Sequence, residues 1–322
     1  MSISYALPPA CLQRLADLTA ASETPDSVRL LHGRGRCYPG LEFVTVDYFA
    51  PVLLITLFAE PPAGWLAQLA DQIEPHMTQG VAALLVQHRY RLGAPSEVLL
   101  GEMPTKLYAR RGELRFLLNP LAQQNIGFFL DMEPGRQWLE SRASGRRILN
   151  LFAYTCSLSV VALAASARQV VNVDMSKRAL SQGRDNHQLN SHHLANLPKN
   201  SAQFLPEQIL KSWSRIKKPG PYDIVIFDPP SYQPGSFVAT RDYAKLVRRI
   251  PELLPEGGDI LACLNAPELA TDFLQSLFAD HCPQAQLRER LTASPDFPDI
   301  EPERQLKLLH FYYPGASAVG AE

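Results

Sequence analysis

Two rhythms of apolar residues follow one another along the chain. The first runs to about residue 118. Residues 1–40 read as a short helix and then a loop that ends in HGRGRCYPG. Residues 41–49 (LEFVTVDYF) and 52–58 (VLLITLF) are rich in β-branched and aromatic side chains, which predicts two strands parted by Pro51. Residues 62–77 space their apolar positions at the helical period. A third strand starts near Gly80. EVLLGEMP and ARRGELRFLLN predict further strands, the latter a hairpin about Arg111 and Gly112. Residues 1–118 are therefore expected to form a small N-terminal α+β domain.

From residue 119 the rhythm changes to strands alternating with helices. Strands are predicted over 146–152, 169–175, SAQFL, 222–230, GGDILACLN and 307–313. Helices are predicted over 157–166, from the N-cap Ser176 to about Asn190, over PEQILKSW, over 240–254 and over PELATDFLQSLFADH. This alternation predicts an α/β domain over 119–322 with a doubly wound parallel sheet.

Composition narrows the picture. The 322 residues are 46% hydrophobic, enough for two ordinary cores, and the formal net charge of −1 excludes a globally basic nucleic-acid binder. A local basic patch remains compatible with RNA. Cys11, Cys37, Cys156, Cys263 and Cys282 are odd in number and contain no CxxC, as in a reduced cytosolic protein without a metal. No apolar run approaches a membrane span of roughly 20 residues, and MSISYALPPA lacks a signal peptide's charged start. A cytoplasmic location is expected.

In a doubly wound sheet, ligands bind beyond the carboxyl ends of the strands. Two features mark that place. LNLFAYTCS (149–157) is a strand breaking into a loop before a helix, and Asp174 ends the next strand. A carboxylate there can accept both ribose hydroxyls of a nucleoside; read plainly, it is a helix cap or a surface charge. The loop has no GxGxxG, so nothing in it prepares for a pyrophosphate, which favours a nucleoside ligand such as S-adenosylmethionine. FDPPSY (227–232) follows a strongly apolar strand. Asp228 offers an acceptor, Pro229 and Pro230 stiffen a loop whose carbonyls can accept from an amine-bearing ring, and Tyr232 can stack on a planar base. Without the alternation around it, this would read as a proline-rich turn.

LNLFAYTCSLSVVALAASARQVVNVDMSKRALSQGRDNHQLN, FDPPSYQPGSFVATRDYAKL and NIGFFLDMEPGR resemble the bacterial 23S rRNA large-subunit methyltransferases over about residues 119–314. HGRGRCYPGLEFVTVDYFAPVLLITLF resembles their small central domain. No counterpart is expected for the N-terminal PUA domain carried by the cytosine-methylating branch. The resemblance implies a Rossmann-like class I methyltransferase sheet with an antiparallel last strand, S-adenosyl-L-methionine as donor, and 23S rRNA or a large-subunit assembly intermediate as partner. A monomer or homodimer without metal or membrane is expected.

Carried over by residue, the donor loop is Phe152, Ala153, Tyr154, Thr155, Cys156 and Ser157, and the ribose carboxylate is Asp174, followed by Met175 and Ser176. Phe129 and Asp131 lie near the donor, and the base-facing loop is Asp228 to Tyr232. Cys156-Ser157 stands where relatives often have Gly-Gly, and the amide of Gln208 where they often have an acid near the adenine. C5 methylation of a pyrimidine needs a nucleophile, placed in the cytosine branch just after GGDILACLN. Asn265 holds that position here, which favours a ring nitrogen, guanine N7 first, with Cys263 a core residue. Cytosine C5, a protein amide, a small molecule, or donor binding without catalysis remain as alternatives. The basic groups Arg34–Arg36, Arg110–Arg111–Arg115, Lys211–Arg215–Lys217–Lys218 and Arg241–Lys245–Arg248–Arg249 are candidate RNA contacts, the last first. His187, His192 and His193 are expected at the surface.

Overall fold

The computed structural model describes residues 5–122, 124–195, 197–198 and 200–315. The chain folds as two compact units, residues 1–131 with 294–302 and residues 132–293 with 303–322.

The first unit comprises α1 (Pro9–Ala20), β1 (Val28–His32), β2 (Val44–Phe49), β3 (Val52–Leu57), α2 (Trp65–Met77), β4 (Ala83–His88), β5 (Ser96–Gly101) and the hairpin β6 (Leu107–Arg111)–β7 (Leu114–Leu118). β1 to β5 form a five-stranded sheet in sequence order. Only β3 and β4 run parallel, and α2 makes the crossover such a pair requires. All positions of β2, β3 and β4 are buried, the polar Thr45, Asp47, Thr56, Gln87 and His88 among them. Val44, Val46, Leu53 and Ile55 pack with Trp65, Leu69 and Ile73 of α2.

β1 falls where a loop is expected. It is short, bulged between Arg29 and Leu31, and spends a position on Arg29, which pairs with Asp47 of β2 at 2.7 Å. Neither alternation nor β-branching marks it in the sequence. The change of rhythm at residue 119 precedes the end of this unit. Asn119 N–H donates to Ile126 C=O, and the Phe116 and Phe128 rings lie 4.8 Å apart. Residues 294–302 return to the unit through Asp296 on Arg14, Phe297 under Arg29 and Asp299 on Arg36.

The second unit contains α3 (Glu133–Glu140), β8 (Arg147–Leu151), α4 (Ser157–Ala164), β9 (Gln169–Val173), α5 (Lys177–Leu189), β10 (Ala202–Leu205), α6 (Trp213–Lys217), β11 (Ile224–Phe227), β12 (Tyr232–Gln233), β13 (Phe237–Val238), α7 (Ala239–Val247), α8 (Ile250–Leu253), β14 (Gly258–Leu264), α9 (Thr271–His281), β15 (Gln286–Arg290) and β16 (Lys307–Tyr313). Its seven-stranded sheet has the order β10-β9-β8-β11-β14-β16-β15, with β16 antiparallel to both neighbours. It is the Rossmann-like sheet with an antiparallel last strand expected from the sequence.

Successive strand residues serve opposite faces. Leu149, Val171, Val225 and Ile260 pack towards α7 and α9, and Ile148, Val170, Ile224 and Leu261 towards α3 and α4. Ser176 caps α5, its Oγ accepting the Ala179 N–H at 3.1 Å, as expected.

Three expectations differ. PEQILKSW gives a 3-10 turn at Ile209–Lys211 and then the short α6. The helix expected over 240–254 divides into α7 and α8, because Pro251 has no N–H to donate and fits only in a first turn. β15 is an additional strand that escapes notice because its exposed sequence, QLRER, lies at the sheet edge. Among the described residues no helix is long and apolar enough to cross a membrane, and no cluster of metal-ligating side chains occurs.

Candidate active site

The parallel strands of the second unit finish in register. Leu151 pairs with Val173, Val173 with Leu205, and Phe227 with both Leu151 and Ala262. The segments after β8, β9, β10, β11 and β14 therefore emerge at one end of the sheet. Sequence reasoning places its second-unit site residues in these segments.

The loop after β8 turns on alternate residues. Phe152, Tyr154 and Cys156 have φ of 58°, 47° and 60°, left-handed values that cost L-residues roughly 1–2 kcal/mol each. Several bonds hold it there. Ala153 N–H donates to Val173 C=O, Cys156 N–H to Ala153 C=O, and Asn186 Nδ2 of α5 to Thr155 C=O at 2.9 Å. Cys156 is fully buried with Ala153, Leu180 and Phe204, and burial pushes its thiol pKa up. Ser157 opens α4.

Asp174 is half-buried at the tip of β9. Its Oδ2 accepts the Tyr154 N–H at 2.9 Å and its Oδ1 the Ser176 N–H at 2.8 Å. Burial raises its pKa, and the two backbone donors oppose the rise. The helix cap is Ser176, so Asp174 is not the cap of the plain reading. Each carboxylate oxygen retains a lone pair beyond the one engaged, the chemistry a pair of ribose hydroxyls requires. The residues thus fit a nucleoside donor. Met175 beside it is exposed.

The segment after β11 forms a hairpin, with Tyr232 opposite Val238 and Gln233 opposite Phe237. Asp228 and Pro230 are half-buried, Pro229 is buried, and Tyr232 is 66% exposed, its ring available for stacking. Two contacts bring this hairpin to the other loops. Phe237 packs edge-on against Phe152 at 5.1 Å, and Gln208 Nε2 donates to Gly235 C=O at 3.5 Å. The hairpin's exit is fixed by buried Asp242 of α7, which accepts the Val238 N–H at 2.8 Å and binds Arg241 and Lys245, each at 2.7 Å. Those charged donors, with burial opposing, hold its pKa far below the carboxylate range.

Asn265 is exposed immediately after β14. Cys263 is fully buried on the α3–α4 face, and its carbonyl accepts from the fully buried Tyr243 hydroxyl at 3.1 Å. Phe129 and Asp131 belong to the first unit, where Asp131 lies in the field of Arg29.

Sequence reasoning did not find Phe237, Asn186, Asp242 or Tyr243. Each acts through a partner distant in the chain and carries no motif of its own. His187 is half-buried and bonded at both ring nitrogens, not a free surface residue. Its Nδ1 bonds Gly183 C=O at 2.7 Å and its Nε2 meets Ser159 Oγ at 2.9 Å, continuing a chain through Asn172 to Asn150. The favoured basic group is largely matched by acids. Arg241 and Lys245 pair with Asp242, and Arg249 pairs with Glu252, which also binds Lys217.

A family model described as S-adenosylmethionine-dependent methyltransferase matches residues 28–312. Among curated relatives, "Ribosomal RNA large subunit methyltransferase I" of Erwinia tasmaniensis is 29% identical over 283 residues, which cover 85% of this chain and 69% of the relative. The protein of the same name from Aeromonas hydrophila is 27% identical over 273 residues, 80% of this chain and 68% of its own. Among solved structures, SMU.776 complexed with SAH has a TM-score of 0.76 at 23% identity, covering 96% of this chain and 84% of that one. A SAM-dependent methyltransferase from Agrobacterium tumefaciens has 0.64 at 18%, covering 91% and 92%. At these identities the solved structures speak for the fold.

Proposed function

The chain belongs to the S-adenosylmethionine-dependent methyltransferase family, and we propose that it transfers the methyl group to a base of large-subunit ribosomal RNA. S-adenosylmethionine is its cofactor and supplies a methyl group activated on a sulfonium. The observation that carries the reading is the meeting of two loops at one end of the sheet. The loop bonded to Asp174 touches the hairpin after FDPP through Phe152 and Phe237. The substrate class follows the names of the relatives, both ribosomal RNA large subunit methyltransferases.

In this reading Asp174 accepts the ribose hydroxyls, and the backbone of residues 152–157 borders the donor with Met175. The amide of Gln208 serves the adenine. Asp228 and the Pro229–Pro230 carbonyls accept from the amine of the target base, Tyr232 stacks on it, and Asn265 stands beside it. Transfer to a positioned base needs alignment and charge stabilisation from these groups. A base drawn from a folded RNA must first leave its stack.

The preference for guanine N7 finds no support in the comparisons. A pyrimidine C5 route needs a thiol, and Cys156 and Cys263 are both fully buried. The product therefore decides the atom. Labelled donor is incubated with large-subunit rRNA, free and in assembled particles, and the nucleosides are resolved by mass spectrometry. A methylated nucleoside is expected, abolished by Asp174→Ala. No transfer to any rRNA overturns the reading. A 5-methylcytidine product lost in Cys263→Ala would assign the C5 route, whereas a ring-nitrogen product would exclude it.

A further inference from the structure

Strand β16 carries a charge where its pattern calls for an apolar side chain. Successive strand residues alternate between faces, so Lys307 shares a face with Leu309, Phe311 and Tyr313. Those three pack in the core on the α7–α9 side, and Lys307 at the head of the row is fully buried too. It lies opposite Leu264, the last residue of β14. Burial lowers the pKa of its ammonium, and Glu303 is the first charge to oppose the fall. Burying a charge costs more than burying an apolar chain, so packing alone does not account for this lysine.

The three hydrogens of the ammonium do account for it. Lys307 Nζ donates to Ala266 C=O at 3.1 Å, to Glu303 C=O at 2.5 Å and to Gln305 C=O at 3.1 Å. Three converging carbonyls require three donors on one atom, which among side chains only lysine supplies. Ala266 C=O also accepts the Leu269 N–H at 3.1 Å, so both of its lone pairs are engaged. The far end of the same loop is held from the same segment. Glu303 Oε2 accepts the Thr271 N–H and the Thr271 hydroxyl, each at 2.7 Å, and its Oε1 pairs with Arg290. Residues 265–270, which join β14 to α9, are therefore clamped at Ala266 by Lys307 and at Thr271 by Glu303. Asn265 is the exposed residue between the end of β14 and the first of these clamps.

We propose that Lys307 is a positioning residue for methyl transfer, its ammonium fixing, through Ala266 C=O, the backbone that presents Asn265 to the acceptor base. The proposal rests on the substrate reading above, in which Asn265 stands beside that base. Transfer depends steeply on the placement of the groups around the reacting atoms. An exposed side chain is well placed only if its backbone is, and here the carbonyl of the next residue is bonded from two sides. The three acceptors of the ammonium all lie outside the donor loop and Asp174, so Lys307 serves the acceptor side of the site and leaves donor binding to the loops after β8 and β9.

The test measures single-turnover methyl transfer to a large-subunit rRNA fragment, donor binding by calorimetry and amide hydrogen exchange. It compares wild type, Lys307→Met, Asn265→Ala, the double variant and Leu309→Val. Methionine keeps an unbranched stem and removes every donor. Lys307→Met is expected to slow transfer by about tenfold or more, to leave donor affinity within about twofold, and to speed exchange of the Leu269 amide. Leu309→Val, a core change on the same face of the same strand, should do neither. In the Asn265→Ala background Lys307→Met should add less than about twofold, because both changes remove one interaction. Independent multiplication of the two effects would overturn the proposal, as would a wild-type rate in Asn265→Ala or a Leu309→Val protein that matches Lys307→Met in rate and exchange. Glu303→Ala, at an exposed position, loosens the same segment from outside the core and should give a smaller slowing with the same exchange pattern. It replaces Lys307→Met should that variant fold poorly, and wild-type rate and exchange in whichever of the two is folded would overturn the proposal. If the wild type transfers to no rRNA, the substrate reading falls, while faster Leu269 exchange in Lys307→Met still establishes the clamp.

Discussion

Gly183 of α5 lies directly against Cys156. A Cβ placed on Gly183 would sit 2.5 Å from the Cys156 sulfur. The side chain that replaces an expected glycine in the donor loop thus has a missing side chain opposite it. Gly→Ala inside a helix ordinarily stabilises by about 1 kcal/mol. Here overpacking, at about 1–3 kcal/mol, opposes that gain. Gly183→Ala is expected to lower stability by about 1 kcal/mol and to weaken donor binding, because the displaced thiol carries the loop. Cys156→Gly/Gly183→Ala should recover both, as read by urea unfolding and donor calorimetry. An unaltered Gly183→Ala protein would show that the contact does not constrain the loop.

Asp174 should make donor binding pH-sensitive from the acid side. Its carboxylate must be ionised to accept two hydroxyls, and burial raises its pKa. Affinity should be flat near neutrality and fall with acidification at a pH above that of an ordinary aspartate. Calorimetry across pH 4–8 checks this, and in Asp174→Ala the residual weak binding should lose the transition.

His32 should make the protein less stable in acid. Its Nδ1 faces Arg29 Nη1 at 2.9 Å and can only accept from it. Burial, then Arg29 and Arg34, lowers its pKa to about 3. The unfolded chain takes up a proton below about pH 6.5 and the folded one does not, so stability falls as pH drops from there towards 3. The limiting slope is about 1.4 kcal/mol per pH unit. His32→Gln should flatten this slope in urea titrations between pH 7 and 5. An equal slope in the variant would assign the loss elsewhere, the half-buried His187 being the next group with a lowered pKa.

Asp242→Ala should cost about 2 kcal/mol, because it strands the Val238 N–H and leaves Arg241 and Lys245 side by side. Asp242→Asn keeps an acceptor and should cost less. Since the pKa of Asp242 is depressed, its contribution is complete above the usual carboxylate range and is lost only in strong acid. Both variants should lower kcat through the hairpin before they change donor affinity, which single-turnover kinetics separates from calorimetry.

The second unit was largely legible because its strands are apolar runs between amphipathic helices, a pattern with few solutions. The edge strand β15 was hidden by its own solvation, and β1 by a bulge and a charged position. At the site, the strand-end rule located Asp174 and FDPPSY. What the sequence could not display were relations between distant positions. Cys156 stands where relatives often have glycine, and the compensating Gly183 is far from it in sequence; the acids that match the basic run after FDPPSY, Asp242 and Glu252, carry no motif of their own. Phe129 and Asp131 fall in the first unit.

Residues 294–302 belong to the first unit although they follow nearly all of the second. Pro298 closes over Gly35, Asp296 and Asp299 neutralise Arg14 and Arg36, and Phe297 lies under Arg29. A ribosome delivers the chain from its N-terminus, and domains generally fold as they emerge. The N-terminal unit is therefore the first to be made and cannot be the first to be finished. During synthesis it waits, with Arg14 and Arg36 lacking their carboxylates, for a segment that arrives only after most of the second unit.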